Sequence, residues 1–376
     1  MQVGIGYNQE NDSTLAGRLA AEQAVKQSGE PAITFLFSTE NYNQKLIFQA
    51  VKRVIGKSKL IGACTSGIIT TAGVLEKGVG ICTISGSEIQ AVTCLQENIT
   101  LSPWKSGEEA GKKLRASGID SGTVFAFPDG CAANLSELLR GIYNVLGPDF
   151  IYIGGGTGHN LKSFQTYQFT DHGIKSNALA IALVKGINFQ IGIGHGWHPA
   201  GQPMVITKAE GKKVCEIDGL PAFEVYSECL GGFDKVNFPC YGMKHPFAIP
   251  CVGGNFLIRD PLEIEEDNSI TFVTEVPQNT VVTLMESTFD NLITAAGEVA
   301  KTAVNNVKLP KIVFLFDCVS RYLLMGKEFK RELKAVMEVI GPDIPVIGML
   351  TFGEVGTFSG IPFFHNKTVV VAVGWQ

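Results

Sequence analysis

The 376-residue chain lacks any apolar run of the roughly 18 residues a membrane helix requires, the best being the short stretch around Ala178 to Val184. It opens Met1-Gln2-Val3-Gly4, with no basic region leading into an apolar segment, so no secretory signal is read. A cytoplasmic location without membrane insertion is expected. Charge is sparse as well: charged residues make up 18% of the chain, and 31 Lys and Arg face 36 Asp and Glu. The resulting net charge of -5 offers nucleic acid no general attraction. The nine cysteines form no CxxC and no short paired spacing, and their number is odd, which reads as reduced thiols rather than disulfides or a zinc site. The phosphate-loop pattern G-x-x-x-x-G-K-[ST] and the catalytic patterns G-x-S-x-G and H-E-x-x-H are all missing.

What the chain does have is 45% apolar residues and an internal repeat. Phe35-Leu36-Phe37, Phe125-Ala126-Phe127 and Phe314-Leu315-Phe316 are short apolar runs, each followed by helix-like spacing, a stopping Gly and a second apolar run. The stops are Gly56, Gly147 and Gly341. The second runs lead into Ile61-Gly62, Ile153-Gly154 and Ile347-Gly348, so each copy predicts a βαβ unit. Alternating apolar sequence over Val79 to Ile84, Ala178 to Leu183 and Thr368 to Val373 adds a later strand to each. A fainter fourth copy is expected near 214–285, where Ile217-Asp218-Gly219 echoes Pro128-Asp129-Gly130. The expected fold is α/β: two similar domains of repeated α-β-α-β-hairpin modules, with mixed sheets covered by helices. The domains are placed at 1–208, with modules near 10–95 and 106–206, and at 209–376, with modules near 214–285 and 289–376.

At these positions the chain resembles the FIST family. The likeness rests on Phe127-Pro128-Asp129-Gly130, the Gly154 to Gly158 loop, Gly196-Trp197 to Gly201, Ile217 to Ala222, Phe316 to Arg321, Gly353-Glu354-Val355-Gly356 and His365-Asn366-Lys367-Thr368. The resemblance implies an intracellular sensory module that binds a small ligand, amino acids among the ligands proposed. It would signal through a separate protein such as a histidine kinase, chemoreceptor or cyclase. Some members bind haem and respond to nitric oxide, so noncovalent haem is the alternative cofactor; none is predicted otherwise. The chain departs from the family pattern at His159, where an acidic residue often follows the Gly loop, and at Ser320, where Gly often precedes the Arg. Both departures leave the ligand open.

The residues suggest where chemistry could sit. Ligands of open α/β sheets gather beyond strand carboxyl ends, and the candidate ligand cleft, between the two domains, is lined by Asp129, Gly155, Gly156, Thr157, His159, Asn160, Cys318, Arg321, Glu354, His365 and Asn366. The Gly run either frees backbone N–H groups for an anion or is a tight turn. Arg321 and Glu354 either hold the two ends of an amino-acid-like or small organic acid ligand or form a structural ion pair. Cys318, between a strand end and a helix start, is either a reactive thiol with His365 as base, which would make an enzyme, or a buried space-filler. A sensor without catalysis is the leading expectation. His195 and His198 flank a loop, and no metal site is expected there.

Overall fold

The computed structural model describes residues 1–159, 165–251, 254–358 and 360–376. Its organising feature is the repeat. The first copy runs strand Gln2–Asn8, helix Ser13–Ser28, strand Ile33–Thr39, helix Gln44–Ile55, strand Lys59–Thr65, a hairpin (Ile68–Thr70 and Gly73–Leu75) and strand Val79–Ser85. The second repeats the order from Gln90–Glu97 to Ala178–Lys185, and the third from Asn188–Gly194 to Val369–Trp375. In each copy the Phe-X-Phe strand pairs in parallel with the strand after its helix, and the register puts Phe35 opposite Ile61, Phe125 opposite Ile153 and Phe314 opposite Ile347. The expected mixed sheets covered by helices are present, and Gly56, Gly147 and Gly341 follow their helices as expected.

Glycine follows the isoleucine in every copy for a steric reason. A Cβ on Gly62, Gly154 or Gly348 would overlap the carbonyl oxygen of the facing Leu36, Ala126 or Leu315. The Phe-X-Phe strands are buried along their whole length, apart from the half-buried Gly122 that opens the second, so their apolar runs are continuous rather than alternating. Their first phenylalanines meet where the three sheets converge: Phe35 lies 4.7 Å from Phe125 and 4.5 Å from Phe314 between ring centroids, and Phe125 lies 5.3 Å from Phe314. Phe127 forms a second layer with Phe37 at 5.7 Å and Phe316 at 5.8 Å. The core is thus a phenylalanine column shared by three copies, in which edge-to-face and tilted rings add to the burial of large apolar area.

The hairpins lock the copies together. Each pairs with the sheet of a neighbouring copy: Gln168–Thr170 adds to Lys59–Thr65, Glu354–Phe358 to Phe150–Gly155, and Ile68–Thr70 to Val346–Thr351. The exchange is cyclic, giving three six-stranded sheets of equivalent order.

The segment near 214–285 is not a fourth copy. It belongs to a nine-stranded sheet in which the pairings are all antiparallel, between strands of residues 198–286. The echo of Asp129-Gly130 at Asp218-Gly219 has a local cause: both residues take positive φ, 51° and 82°, in a tight hairpin between Lys213–Ile217 and Leu220–Pro221. Asp-Gly is favoured in any such turn. This antiparallel insert interrupts the third copy between strand Asn188–Gly194 and helix Phe289–Val304, and the copy closes across it, with Gly194 opposite Val369.

Candidate functional site

The three parallel pairs end on one side of the molecule, at Thr65, Thr157 and Thr351, and the insert leaves the core beside Val369 on that same side. The seam between insert and core therefore crosses strand carboxyl ends, where open α/β sheets place their ligands. It is polar. Lys367 Nζ lies 3.1 Å from Asp260 Oδ1 and donates to the Met243 carbonyl at 2.9 Å. Arg259 donates to the Phe364 carbonyl at 3.3 Å, and Thr274 Oγ1 to Asn366 Oδ1 at 2.7 Å. Lys212 Nζ donates to the Cys131 carbonyl at 3.2 Å.

Arg321 sits in helix Val319–Met325 and is fully buried. Its guanidinium donates from Nε and Nη2 to the two oxygens of Glu332, at 3.1 and 2.6 Å. The remaining directions go to the carbonyls of His195 at 2.6 Å, Lys367 at 3.1 Å and Leu292 at 3.2 Å. Its ion-pair partner is thus Glu332 and not Glu354, and the five N–H donors of an arginine are accounted for. Beside it Asp317 stands 3.5 Å from Arg321 Nε, and burial together with the neighbouring Glu332 pushes its carboxyl well above the ordinary range.

Glu354 accepts from Thr351 Oγ1 at 2.6 Å and from the Thr368 N–H at 3.1 Å. Burial raises its carboxyl to about 8. The Cys318 thiol, 3.3 Å from Ser320 Oγ, is pushed far up by burial and by the nearby acids Glu354 and Asp260. The influence of the helix start is outweighed, because the helix has only seven residues, and nearby Arg321 is neutralised by Glu332. His365 is buried, with burial lowering it to about 3, and its Nε2 has no hydrogen-bond partner. Cys318 and His365 therefore do not form the hydrogen-bonded pair that nucleophilic catalysis needs.

The other anticipated residues divide. Asn366 is at the seam, bonded to Thr274. Asp129 accepts from the N–H groups of Cys131 at 3.0 Å and Asn177 at 3.1 Å, ordering its own loop. Gly155 and Gly156 lie against the third copy: a Cβ would overlap Thr351 at the first and the Phe352 carbonyl at the second. The N–H groups of Gly156 and Thr157 donate to Gly353 and Pro128 at 2.7 and 2.8 Å, so these glycines permit close packing and these two N–H groups do not face a ligand. Thr157 Oγ1 accepts from Gln168. His159 sits edge-on to Phe352 at 5.0 Å, with Nε2 3.6 Å from Cys131 Sγ. Asn160 lies outside the described residues.

Residues 32–220 match the FIST N domain and residues 222–357 the FIST C domain. The chain belongs to the FIST family. FIST domains are sensory modules, which is the coarse function this assignment carries. The division between the two matched regions falls inside the antiparallel insert. An uncharacterised protein of Methanocaldococcus jannaschii is 25% identical across 92% of this chain and 74% of its own length. One from Mycobacterium tuberculosis is 23% identical across 99% of both chains. A PurLQS structure from Thermotoga maritima overlaps 99% of this chain and 72% of its own at 9% identity, with a TM-score of 0.21 that carries no structural argument.

The sequence reading of this FIST protein missed Lys367, Asp260, Asp317 and Glu332, all buried at the seam or against Arg321. A signal existed for two: Lys367 stands within the His365 to Thr368 motif and Asp317 within Phe316 to Arg321. Asp260 and Glu332 lie outside those motifs and far apart in the sequence. Among the described residues no group of three His, Cys, Asp or Glu is arranged to hold a metal ion, and no helix is long and apolar enough to cross a membrane. The ring of His365 is flanked by Phe358 at 5.0 Å and Phe363 at 6.1 Å.

Proposed function

We propose that this FIST protein is a small-ligand sensor whose response is a displacement of the antiparallel insert against the three-copy core. A separate signalling protein then reads the new position. One observation carries the reading: the seam is built from buried ionisable groups where an apolar interface would be at least as stable. Lys367 pairs with Asp260 across it, the buried Arg259 reaches the Phe364 carbonyl, and Arg321, paired with Glu332, holds the Lys367 carbonyl from the core side. Such an interface has discrete arrangements, because separating any buried pair leaves a charge without a partner. It therefore switches rather than deforms. The roles expected of Arg321 and Glu354 change within this reading: they order the core side of the seam, through the Lys367 carbonyl and the Thr368 N–H, and a ligand acts on it from beside them.

Hydrogen exchange during a screen of amino acids and small organic acids tests the proposal. A ligand that raises Tm should alter protection in strands Phe247–Pro250 and Val281–Glu286 of the insert and in the hairpin Glu354–His365. If ligands bind and protection changes only at their immediate contacts, the sensor reading fails.

A further inference from the structure

The insert is joined to the core by two chain segments that run side by side as a neck. The outgoing segment follows strand Asn188–Gly194, and the returning one enters helix Phe289–Val304. His198 pairs with Glu286 and Pro199 with Met285 in antiparallel register, and Ser287 Oγ donates to the Gly196 carbonyl at 2.7 Å. Gly196 takes a φ of 79° against the returning helix, where a Cβ would come within 2.9 Å of the Asn291 carbonyl oxygen. One side chain grips both segments. Arg321 donates from Nη1 to the His195 carbonyl at the outgoing root and from Nη2 to the Leu292 carbonyl at the returning root. Its Nη1 also holds the carbonyl of Lys367, whose own side chain pairs with Asp260 of the insert.

That guanidinium has two carboxyls within reach. Its Nε donates to Glu332 Oε1 at 3.1 Å and stands 3.5 Å from Asp317 Oδ1 without bonding it. Among the described residues no N–H group donates to either oxygen of Asp317, although the side chain is buried, and a buried acceptor left unmatched calls for a reason. Resting on the sensor reading above, we propose that Asp317 is a second seat for the Arg321 guanidinium, which holds the neck while it sits on Glu332 and frees it on crossing to Asp317. Cation and proton trade places in that step. Burial, the facing Glu332 and Glu354 keep the proton on Asp317 while Arg321 is on Glu332. On crossing, the Asp317 O–H bond breaks and the proton passes to the neighbouring Glu332 carboxylate, so the cluster again holds one cation, one carboxylate and one carboxyl. Turning the Nε–Nη2 edge from Glu332 to Asp317 carries Nη2 away from Leu292, and the returning root loses its hold. The two arrangements differ in their bonds to the neck and not in net charge, which lets a displacement of the insert choose between them.

A double-mutant cycle read by thermal unfolding and hydrogen exchange, on the full chain without ligand, tests the two seats. Asp317→Asn keeps the shape of a protonated carboxyl, so it should leave Tm nearly unchanged and the neck as protected as in wild type. Glu332→Gln should still fold, because Asp317 ionises and takes the guanidinium, but amides of residues 196–200 and 285–288 should exchange about tenfold faster or more. The double variant leaves Arg321 buried without a carboxylate, and should lose at least about twice the summed Tm losses of the single variants or fail to fold. Additive losses, failure of either single variant to fold, or a Glu332→Gln neck that exchanges no faster than that of Asp317→Asn would each overturn the proposal. A neck that loosens in Glu332→Gln, while no amino acid or small organic acid alters exchange in the wild-type insert, would keep the two seats and remove the sensor reading instead.

Discussion

Gln168 and Glu354 occupy the same place in successive copies of the repeat. Each opens the hairpin that its copy hands to a neighbour, Gln168 opposite Ala63 and Glu354 opposite Gly155. Each bonds the hydroxyl of the corresponding threonine, Thr157 or Thr351, at 2.6 Å. Each also accepts a backbone N–H at the start of the last strand, from Ala178 at 3.2 Å or Thr368 at 3.1 Å. The second copy performs this structural role with a neutral amide. In the third a carboxyl performs it, and burial keeps the proton on.

Glu354→Gln should therefore fold, and its advantage over wild type should grow with pH. Between 4.5 and about 8 the unfolded chain has released a proton that the folded protein retains, so Glu354 lowers wild-type stability as pH rises. The slope is at most about 1.4 kcal/mol per pH unit. Urea unfolding at pH 5, 6.5 and 8 measures it. A constant difference across that range would mean that Glu354 is ionised in the folded protein. Toward acid, His195 and His365, lowered to about 4 and about 3, impose the opposite slope on both proteins below pH 6.5.

Arg321→Lys should destabilise strongly despite keeping the charge, by about 3 to 5 kcal/mol, because an ammonium cannot reach both Glu332 oxygens and three carbonyls. Arg321→Met combined with Glu332→Met should recover part of the loss by removing the stranded carboxylate. Thermal unfolding of the single and double variants decides this; equal destabilisation by both would remove the ion pair from the account.

Phe314→Ala should cost about 3 to 5 kcal/mol, since it empties one corner of a column to which all three copies contribute. Loss of the column acts on every sheet, so unfolding should remain a single transition. Separate melting of the third copy in calorimetry would contradict the shared core.

Limited alkylation should modify Cys131, Cys229 or Cys240, which are exposed, well before Cys318. Cys131 should react slowly for an exposed thiol, because burial of its sulfur and nearby Asp129 raise it to about 11. Mass spectrometry after brief iodoacetamide treatment reads the order, and early labelling of Cys318 would refute its burial.

Local chemistry written three times was enough to reveal the repeat. The Phe-X-Phe strands, the helix-stopping glycines and the Ile-Gly pairs each answer a requirement met within a few residues or between adjacent strands: continuous burial, a positive φ, a close carbonyl. The same locality misled at Asp218-Gly219, where a hairpin turn repeats a dipeptide without repeating a fold. The candidate site was legible only in part. Glu354, His365, Asn366 and Arg321 were found because they follow strand ends, yet Arg321 was given the wrong partner, since Glu332 is a helix residue with no spacing to announce it.

By itself the sequence determined the βαβ units around Phe35, Phe125 and Phe314, and the family. Only the tertiary structure decided how the units combine. Cyclic exchange of hairpins and the placing of an insert across strand ends depend on contacts between residues more than a hundred positions apart, such as Glu354 with Gly155 or Lys367 with Asp260. No local preference encodes those pairings. The burial they create fixes which acids are raised above their ordinary range and which cations are neutralised.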